Sequence, residues 1–203
     1  LDRFRHIARN YPEIQADDVI IDALCMNLVL KPQQYQMVVL PNLQGDIVSD
    51  LAAGLVGGLG FAPSANIGDK VSIFEAVHGT APDIAGQNKA NPTSLLLSGL
   101  ILLRHIGMQK QAATIENALL YTLESGVHTG DVKGEKEPVG TAEFGRAIAV
   151  NLGKLPSQDY VRTVPDSDRP DFTPPERPRV NKLIRTFETS QSSYCGCDIY
   201  LDT

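Results

Sequence analysis

Short apolar, β-branched runs and segments with helical periodicity take turns along this chain, with glycine or proline at the changes of period. That alternation restricts the fold more than any other feature, because strands that alternate with helices build an α/β architecture. "DDVIIDA" (17–23) predicts a short buried strand, "ALCMNLVLKP" a helix stopped by Lys31-Pro32, and "YQMVVLPN" a second strand. From Gly45 the spacing of Ile47, Val48, Leu51, Ala52 and Leu55 predicts a helix with one apolar face, which leaves Asp46 and Asp50 on the other. The glycines of "GLVGGLGFAPSANIGD" predict a loop, and "KVSIFEAVHGTAPDIAG" reads as a strand running into a loop. "NPTSLLLSGLILLRHIGM" predicts a buried helix with Pro92 in its first turn, and "KQAATIENALLYTLESG" a helix ended by Gly126. "GTAEFGRAIAVNLG" predicts a third, with Glu143 in its first turn and Gly153 as its stop. Residues 156–178 hold six of the thirteen prolines and predict a linker. Beyond it "RVNKLIRTFETS" and "CGCDIYLDT" read as two strands of a small further unit.

Composition narrows the partners. The formal net charge is −6 with no Lys/Arg cluster, which excludes a phosphate-tracking groove for nucleic acid. Cys25 sits in an apolar stretch, and Cys195-Gly196-Cys197 has neither the density of a disulfide framework nor the spacing of a zinc site. The expected setting is a reducing one, the cytoplasm or alternatively the mitochondrial matrix. The longest apolar stretch, "SLLLSGLILL", is about half of what a bilayer-spanning helix needs, so no membrane partner is expected. The opening "LDRFRHIARN" lacks a methionine and reads as mid-helix, and the chain is expected to be a piece of something longer.

Two motifs carry chemistry. "LPNLQGDIVSD" places Asp46 and Asp50 one helical turn apart, where like charges cost a few tenths of a kcal/mol unless something offsets them. A solvated face is the commoner reason for such a pair. Asp22, at the end of the first expected strand, adds a third acid, and Mg²⁺ or Mn²⁺ wants just such carboxylates plus substrate oxygens and water. Taken alone, Asp22 would be a helix cap. "GGLG" fails as a dinucleotide fingerprint, since Gly58-Leu59-Gly60 is followed by Phe61-Ala62-Pro63 with no third glycine and no helix. "HGTAPDIAGQNKANP" instead puts His78, Gly79, Asp83 and Asn91 in one loop before a helix, which suits an adenosine and its phosphates held by backbone N–H groups.

Together, "PNLQGDIVSDLAAGLVGGLGFAPSANIGD" and "FEAVHGTAPDIAGQNKANPTSLLLSGLILLRH" closely resemble the β-decarboxylating isocitrate/isopropylmalate dehydrogenase family, over about residues 1 to 155. The resemblance is to its isocitrate members, since isopropylmalate dehydrogenases typically carry a Met-Phe-Gly-Asp turn where this chain has "NLQGD". It implies the family's α/β, non-Rossmann fold, with a large and a small domain flanking a cleft. Residues 1–56 then belong to the small domain with the metal ligands and 57–155 to the large domain with the adenosine loop. Residues 156–178 are the linker and 179–203 the start of a C-terminal extension.

By the same resemblance Asp46 and Asp50 are metal ligands and Asp22 serves the metal of the neighbouring subunit, in a homodimer with shared sites. Glu75 lies towards the nicotinamide ribose, His78 contacts adenine, Gly79, Thr80 and Ala81 pass the phosphates, and Asn91 binds the adenine edge. NADP-dependent members have Lys-Tyr where this chain has Asp83-Ile84, and Gly130 and Gly134 stand where they carry a Tyr and an Arg. A carboxylate at position 83 repels a 2′-phosphate and accepts a hydrogen bond from a free 2′-hydroxyl, which points to NAD. The implied reaction is oxidative decarboxylation of isocitrate to 2-oxoglutarate. The family's catalytic Tyr and Lys are expected upstream of this chain, which alone should not turn over. The alternatives are a non-catalytic regulatory subunit of a heteromeric enzyme, a related 3-isopropylmalate or homoisocitrate dehydrogenase, and a metal-free α/β interaction domain.

Overall fold

A computed structural model of the chain describes residues 1–164 and 199–201. These fall into two units, one of residues 1–55 with 199–201 and the other of residues 56–164. The tail expectations for "RVNKLIRTFETS", for Cys195 and Cys197, and for most of the proline-rich stretch lie outside the described residues.

The first unit contains α1 (Asp2–Ala8), α2 (Ile21–Leu30), β1 (Met37–Val39) and α3 (Asn42–Leu55). Strand β1 pairs antiparallel with Ile199–Leu201, labelled β4 below, with Val38 opposite Tyr200. Helix α2 stops where expected: Lys31 leaves the helical region at φ −148° and ψ 56°, and Pro32 follows. Helices α2 and α3 pack together around Leu24, Val48 and Ala53, which are 4%, 6% and 2% exposed.

Three expectations need correcting here. Residues 17–20 form no strand and are not buried, with Ile20 75% exposed. Among the described residues no strand lies beside them to bond their backbone, so they run as an extended lead into α2. Asp22 therefore stands in the first turn of a helix rather than at a strand end. Second, α3 begins before Gly45: the Gly45 N–H already donates to the Pro41 carbonyl at 2.9 Å, so "NLQ" is helix and not turn. Third, the buried side of α3 is Gly45, Val48, Ser49 and Ala53, while Ile47 and Leu55 are exposed. Small residues let α3 approach its neighbour closely.

The second unit opens with a hairpin of β2 (Pro63–Ile67) and β3 (Ser72–Ala76), antiparallel with Ala65 opposite Phe74. Strand β2 lies inside the stretch whose glycines predict a loop. Its composition is a poor strand former, and what fixes it is a hydroxyl on the next helix, α4 (Thr93–His105). The Ser98 Oγ accepts the Ser64 N–H at 3.1 Å and donates to the Glu75 carbonyl at 2.7 Å, fastening both strands to α4. Pro92 is the residue just before the first turn of α4. The helix buries Ser94, Ser98 and Leu100 but leaves Leu95 60% exposed, so it is half-buried rather than engulfed.

Helices α5 (Gln109–Glu124) and α6 (Thr141–Val150) complete the unit. Helix α5 ends at Gly126, whose φ of +77° lets the Val127 N–H turn back to the Thr122 carbonyl at 3.2 Å. Helix α6 is followed by Gly153 at φ +86°, as its sequence predicts. The core is Ala118 and Leu119 of α5 against Phe144 and Ile148 of α6, with Leu96 and Leu97 of α4 packed on it. The segment after α6 is held to α5 by charge. Glu116, 8% exposed, accepts from the Arg104 guanidinium and, at 3.0 Å, from Arg162 Nε, while the Asn117 amide makes paired bonds with the Arg162 backbone at 2.8 and 3.0 Å. Two cations and one buried carboxylate satisfy each other.

Replacing Phe144, which is 0% exposed, by Ala should cost about 3–5 kcal/mol of stability through lost burial and the cavity left behind. Leu95→Ala on the open side of α4 should stay within about 0.5 kcal/mol of wild type. Urea unfolding of the two variants checks this, and equal midpoints would show that the α5–α6 core is misplaced.

Candidate functional site

Helix α3 presents Asp46 and Asp50 on its exposed side, one turn apart, because Gly45, Val48, Ser49 and Ala53 turn the opposite side inward. Carboxylates so spaced have Cβ atoms about 5–6 Å apart. Among the described residues no hydrogen bond or ion pair reaches either carboxylate; the nearby Ser49 hydroxyl donates to the Asp46 backbone carbonyl at 3.0 Å instead. Asp22 is exposed, and its carboxylate accepts the Ala23 N–H at 2.6 Å. Among the described residues no three His, Cys, Asp or Glu side chains converge to hold a metal ion, so Asp22, Asp46 and Asp50 are not brought together within one chain. The donor set of α3 fits a hard cation in kind: two exposed carboxylates with free oxygens and open solvent for further ligands.

The other candidate residues belong to the second unit. Glu75 stands on β3 with its carboxylate accepting from the Asn66 amide across the hairpin at 3.0 Å. Residues 78–83 are exposed. The His78 Nδ1 is 2.9 Å from the Gly79 carbonyl, an acceptor only, so this nitrogen carries a proton and Nε2 is left for a partner. Gly79 has open space where a side chain would stand, and Ala81 takes a left-handed φ of +44°, strained for a residue with a Cβ. The Thr80 side chain is exposed, and that of Asp83 is exposed with no bonding partner among the described residues; Ile84 is half-buried, its N–H bonded to the Ala81 carbonyl at 3.0 Å. Asn91 differs from all of these. It is 7% exposed, its Oδ1 accepts the Thr93 N–H at 3.0 Å and its Nδ2 donates to Asp131 at 3.1 Å, so its side chain is engaged inside the protein.

Three residues of this region were not legible as site residues from composition: Asn66, which steadies Glu75; Asp131, which joins the 127–140 loop to Asn91; and Asn88. The last has φ +57° and carries the 78–91 loop onto the start of α6. Only Asn88 left a sequence signal, an asparagine shortly after glycine in a turn-rich stretch, where left-handed backbone is tolerated. Its amide, first of all, and then the Glu143 backbone N–H and nearby Arg146, hold the Glu143 carboxyl below the usual carboxylate range. The glycines at 58 and 60 that failed as a fingerprint have structural roles of two kinds: Gly58 takes a φ of +111° that L side chains rarely adopt, and a side chain at Gly60 would press on Asp131 and Asn91. Gly134, likewise, leaves room for the buried ring of His128.

The chain is similar to several known proteins. The family model described as isocitrate/isopropylmalate dehydrogenase matches residues 2–148. An isocitrate dehydrogenase (NADP) of Thermus thermophilus is 45% identical over 201 residues, 98% of this chain and 39% of its own length. A mitochondrial regulatory subunit of isocitrate dehydrogenase (NAD) from Dictyostelium discoideum is 60% identical over 153 residues, 74% of this chain and 43% of its own. The crystal structure of isocitrate dehydrogenase from Methylococcus capsulatus superposes with a TM-score of 0.67 at 44% identity, covering 73% of this chain and 44% of that one. The chain thus spans less than half the length of these relatives. With the matched region covering the paired aspartates, the hairpin and the 78–91 loop in order, the chain belongs to the isocitrate/isopropylmalate dehydrogenase family.

Proposed function

We propose that this chain carries the metal-binding helix and the adenosine loop of an NAD⁺-dependent isocitrate dehydrogenase, which oxidatively decarboxylates isocitrate to 2-oxoglutarate. The observation that carries the reading is the pair of exposed, unpartnered carboxylates on α3, placed where they repel each other and where a cation is the natural third party. Asp46 and Asp50 would hold Mg²⁺ or Mn²⁺. A divalent cation there supplies Lewis acidity to the C2 oxygen and carboxylate of the substrate, and the nicotinamide accepts the hydride.

The chain's own residues do the rest by position and charge. Asp46 and Asp50 would hold the cation that offsets the charge of the substrate's carboxylates. Glu75, steadied by Asn66, presents a carboxylate to the nicotinamide ribose, and the open backbone at Gly79 to Ala81 lets phosphates approach the main chain. His78, with its free Nε2, would contact the adenine, and Ile84 stands next to Asp83 on the ribose side. Asn91, with its side chain engaged inside the protein, would meet adenine through its main chain. The Asp83 carboxylate, unbonded among the described residues, accepts from a ribose 2′-hydroxyl and repels a 2′-phosphate. Because Asp22 does not join Asp46 and Asp50 within one chain, we assign it to the metal of a second subunit, in a homodimer with shared sites.

The 60% identity to a protein named as a regulatory subunit favours a second reading, a non-catalytic partner in a heteromeric enzyme that keeps its sites for control. Turnover by the full-length protein alone, with isocitrate, Mg²⁺ and NAD⁺, separates the two. Isopropylmalate offered in place of isocitrate tests the family's other substrate.

In the full-length protein Asp46→Asn should weaken metal binding and isocitrate binding together, since one charged ligand is lost and the substrate completes the same ion's shell. Titration with Mn²⁺ followed by isocitrate reads both constants; unchanged values would remove Asp46 from the metal site.

Mixed dimers test the assignment of Asp22. Co-expressing Asp22→Asn subunits with Asp46→Asn subunits should restore one undamaged site per heterodimer, whereas sites built within single subunits would stay inactive in every combination.

Cofactor choice rests on Asp83. Asp83→Ala should lose about ten- to a hundredfold in kcat/KM for NAD⁺, the equivalent of roughly 1.5–3 kcal/mol for a charge-assisted hydrogen bond, while NADP⁺ improves. Asp83→Lys with Ile84→Tyr should shift the preference further. A wild-type protein that prefers NADP⁺, or an Asp83→Ala variant with an unchanged ratio, would overturn the role given to this residue.

A further inference from the structure

Helix α6 lacks a capping side chain of its own: its N-cap is Gly140, with no side-chain bond to the first turn. The cap comes from elsewhere in the chain. Asn88, more than fifty residues earlier, accepts the Ala142 N–H on Oδ1 at 2.8 Å and donates from Nδ2 to the Glu143 carboxylate at 2.8 Å. Its backbone carbonyl accepts the Thr141 N–H at 3.0 Å, and the Thr141 hydroxyl donates to the Ala90 carbonyl. The capping box of an ordinary helix pairs a polar N-cap side chain with the acid three residues on; here Asn88 takes the first part and Glu143 the second. A left-handed φ of +57° aims Asn88 at the helix, and the missing side chain at Gly140 leaves room for the amide. Each bond alone is exposed and modest, but all four grip one rigid helix end.

We propose that Asn88 is a positioning residue that holds the 78–91 loop in its nucleotide-receiving form by capping α6 from outside the helix. This rests on the reading of that loop as the adenosine site, and adds what keeps the loop ordered before the nucleotide arrives. The loop has few apolar anchors, so its exposed backbone is free to bind only if something else fixes it. A loop ordered in advance binds more tightly by the fraction of time it would otherwise spend disordered.

The test uses the full-length protein and two readouts, amide hydrogen exchange of residues 78–91 without nucleotide and calorimetric NAD⁺ binding. Asn88→Gly keeps the left-handed backbone and removes both side-chain bonds; it should speed exchange in the loop and weaken NAD⁺ binding about tenfold, while Mn²⁺–isocitrate binding is unchanged. Asn88→Asp sets a carboxylate against Glu143 and should have a similar effect. Adding Glu143→Gln to it restores an amide–carboxylate pair with the roles exchanged and should recover both readouts, which a merely structural loss would not do. Wild-type exchange and affinity in Asn88→Gly, or failure of the exchanged pair to rescue, overturns the proposal. NAD⁺ that protects no amide of 78–91 in the wild-type protein overturns the nucleotide reading itself, and the nucleotide-free exchange rates distinguish the two failures.

Discussion

The Asn91 side chain holds together three stretches of chain on which the second unit's candidate site depends. Its Oδ1 caps α4, its Nδ2 reaches Asp131 in the 127–140 loop, and Gly60 lies so close that any side chain there would press on it. Asn91 is 7% exposed, and its bond to the Thr93 N–H is shielded from water, which makes that bond costly to leave unmade. The bond to exposed Asp131 is shielded on one side only. The loops around the site contribute little to the apolar core; hydrogen bonds from distant positions do the work that packing does between α5 and α6. Asn88 at α6 repeats the device. In both cases an amide that donates and accepts at once joins a loop to the start of a helix.

This explains what was legible in the sequence and what was not. Helices α4, α5 and α6 were readable because periodicity and the stops at Gly126 and Gly153 are local signals. Strand β2 was hidden because "PSANI" has little strand preference of its own, and its pairing depends on β3 and on Ser98, thirty-four residues beyond Ser64. The run at 17–20 misled in the opposite direction: it has strand composition, yet none of the described strands pairs with it. Propensity proposes and a partner decides. At the candidate site the aspartate pair and the HGTAPDIAG loop could be picked out because their residue types carry the chemistry. Asn66 and Asp131 could not, and Asn88 showed only as a turn residue, since their importance comes from the groups they bond elsewhere in the chain.

The two candidate regions are built on different physical terms. On α3 the design is electrostatic: carboxylates held apart from every protein partner among the described residues, on a helix whose buried side is made of Gly45, Val48, Ser49 and Ala53. Leaving them unpaired costs some helix stability and keeps their oxygens available to a cation. In the 78–91 loop the design is conformational, with backbone at Ala81 and Asn88 held in the left-handed region and main chain left open near Gly79. Strain of this kind persists only where surrounding bonds over-determine it, and the contacts to α6 and Asp131 supply that surplus.

The contrast bears on how relatives with such similar sequences come to carry different cofactor names. A carboxylate at position 83 is exposed and unbonded among the described residues, so nothing in the fold depends on it. Asn91, Asn88 and Gly60, a few residues or one loop away, are tied into several segments each, and changing them disturbs the frame. On the proposed reading of this loop, substitution at 83 would be free to follow the ribose substituent while the rest of the loop stays as it is. A cofactor preference can change at small cost in stability when the discriminating charge hangs on a scaffold that other residues hold in place.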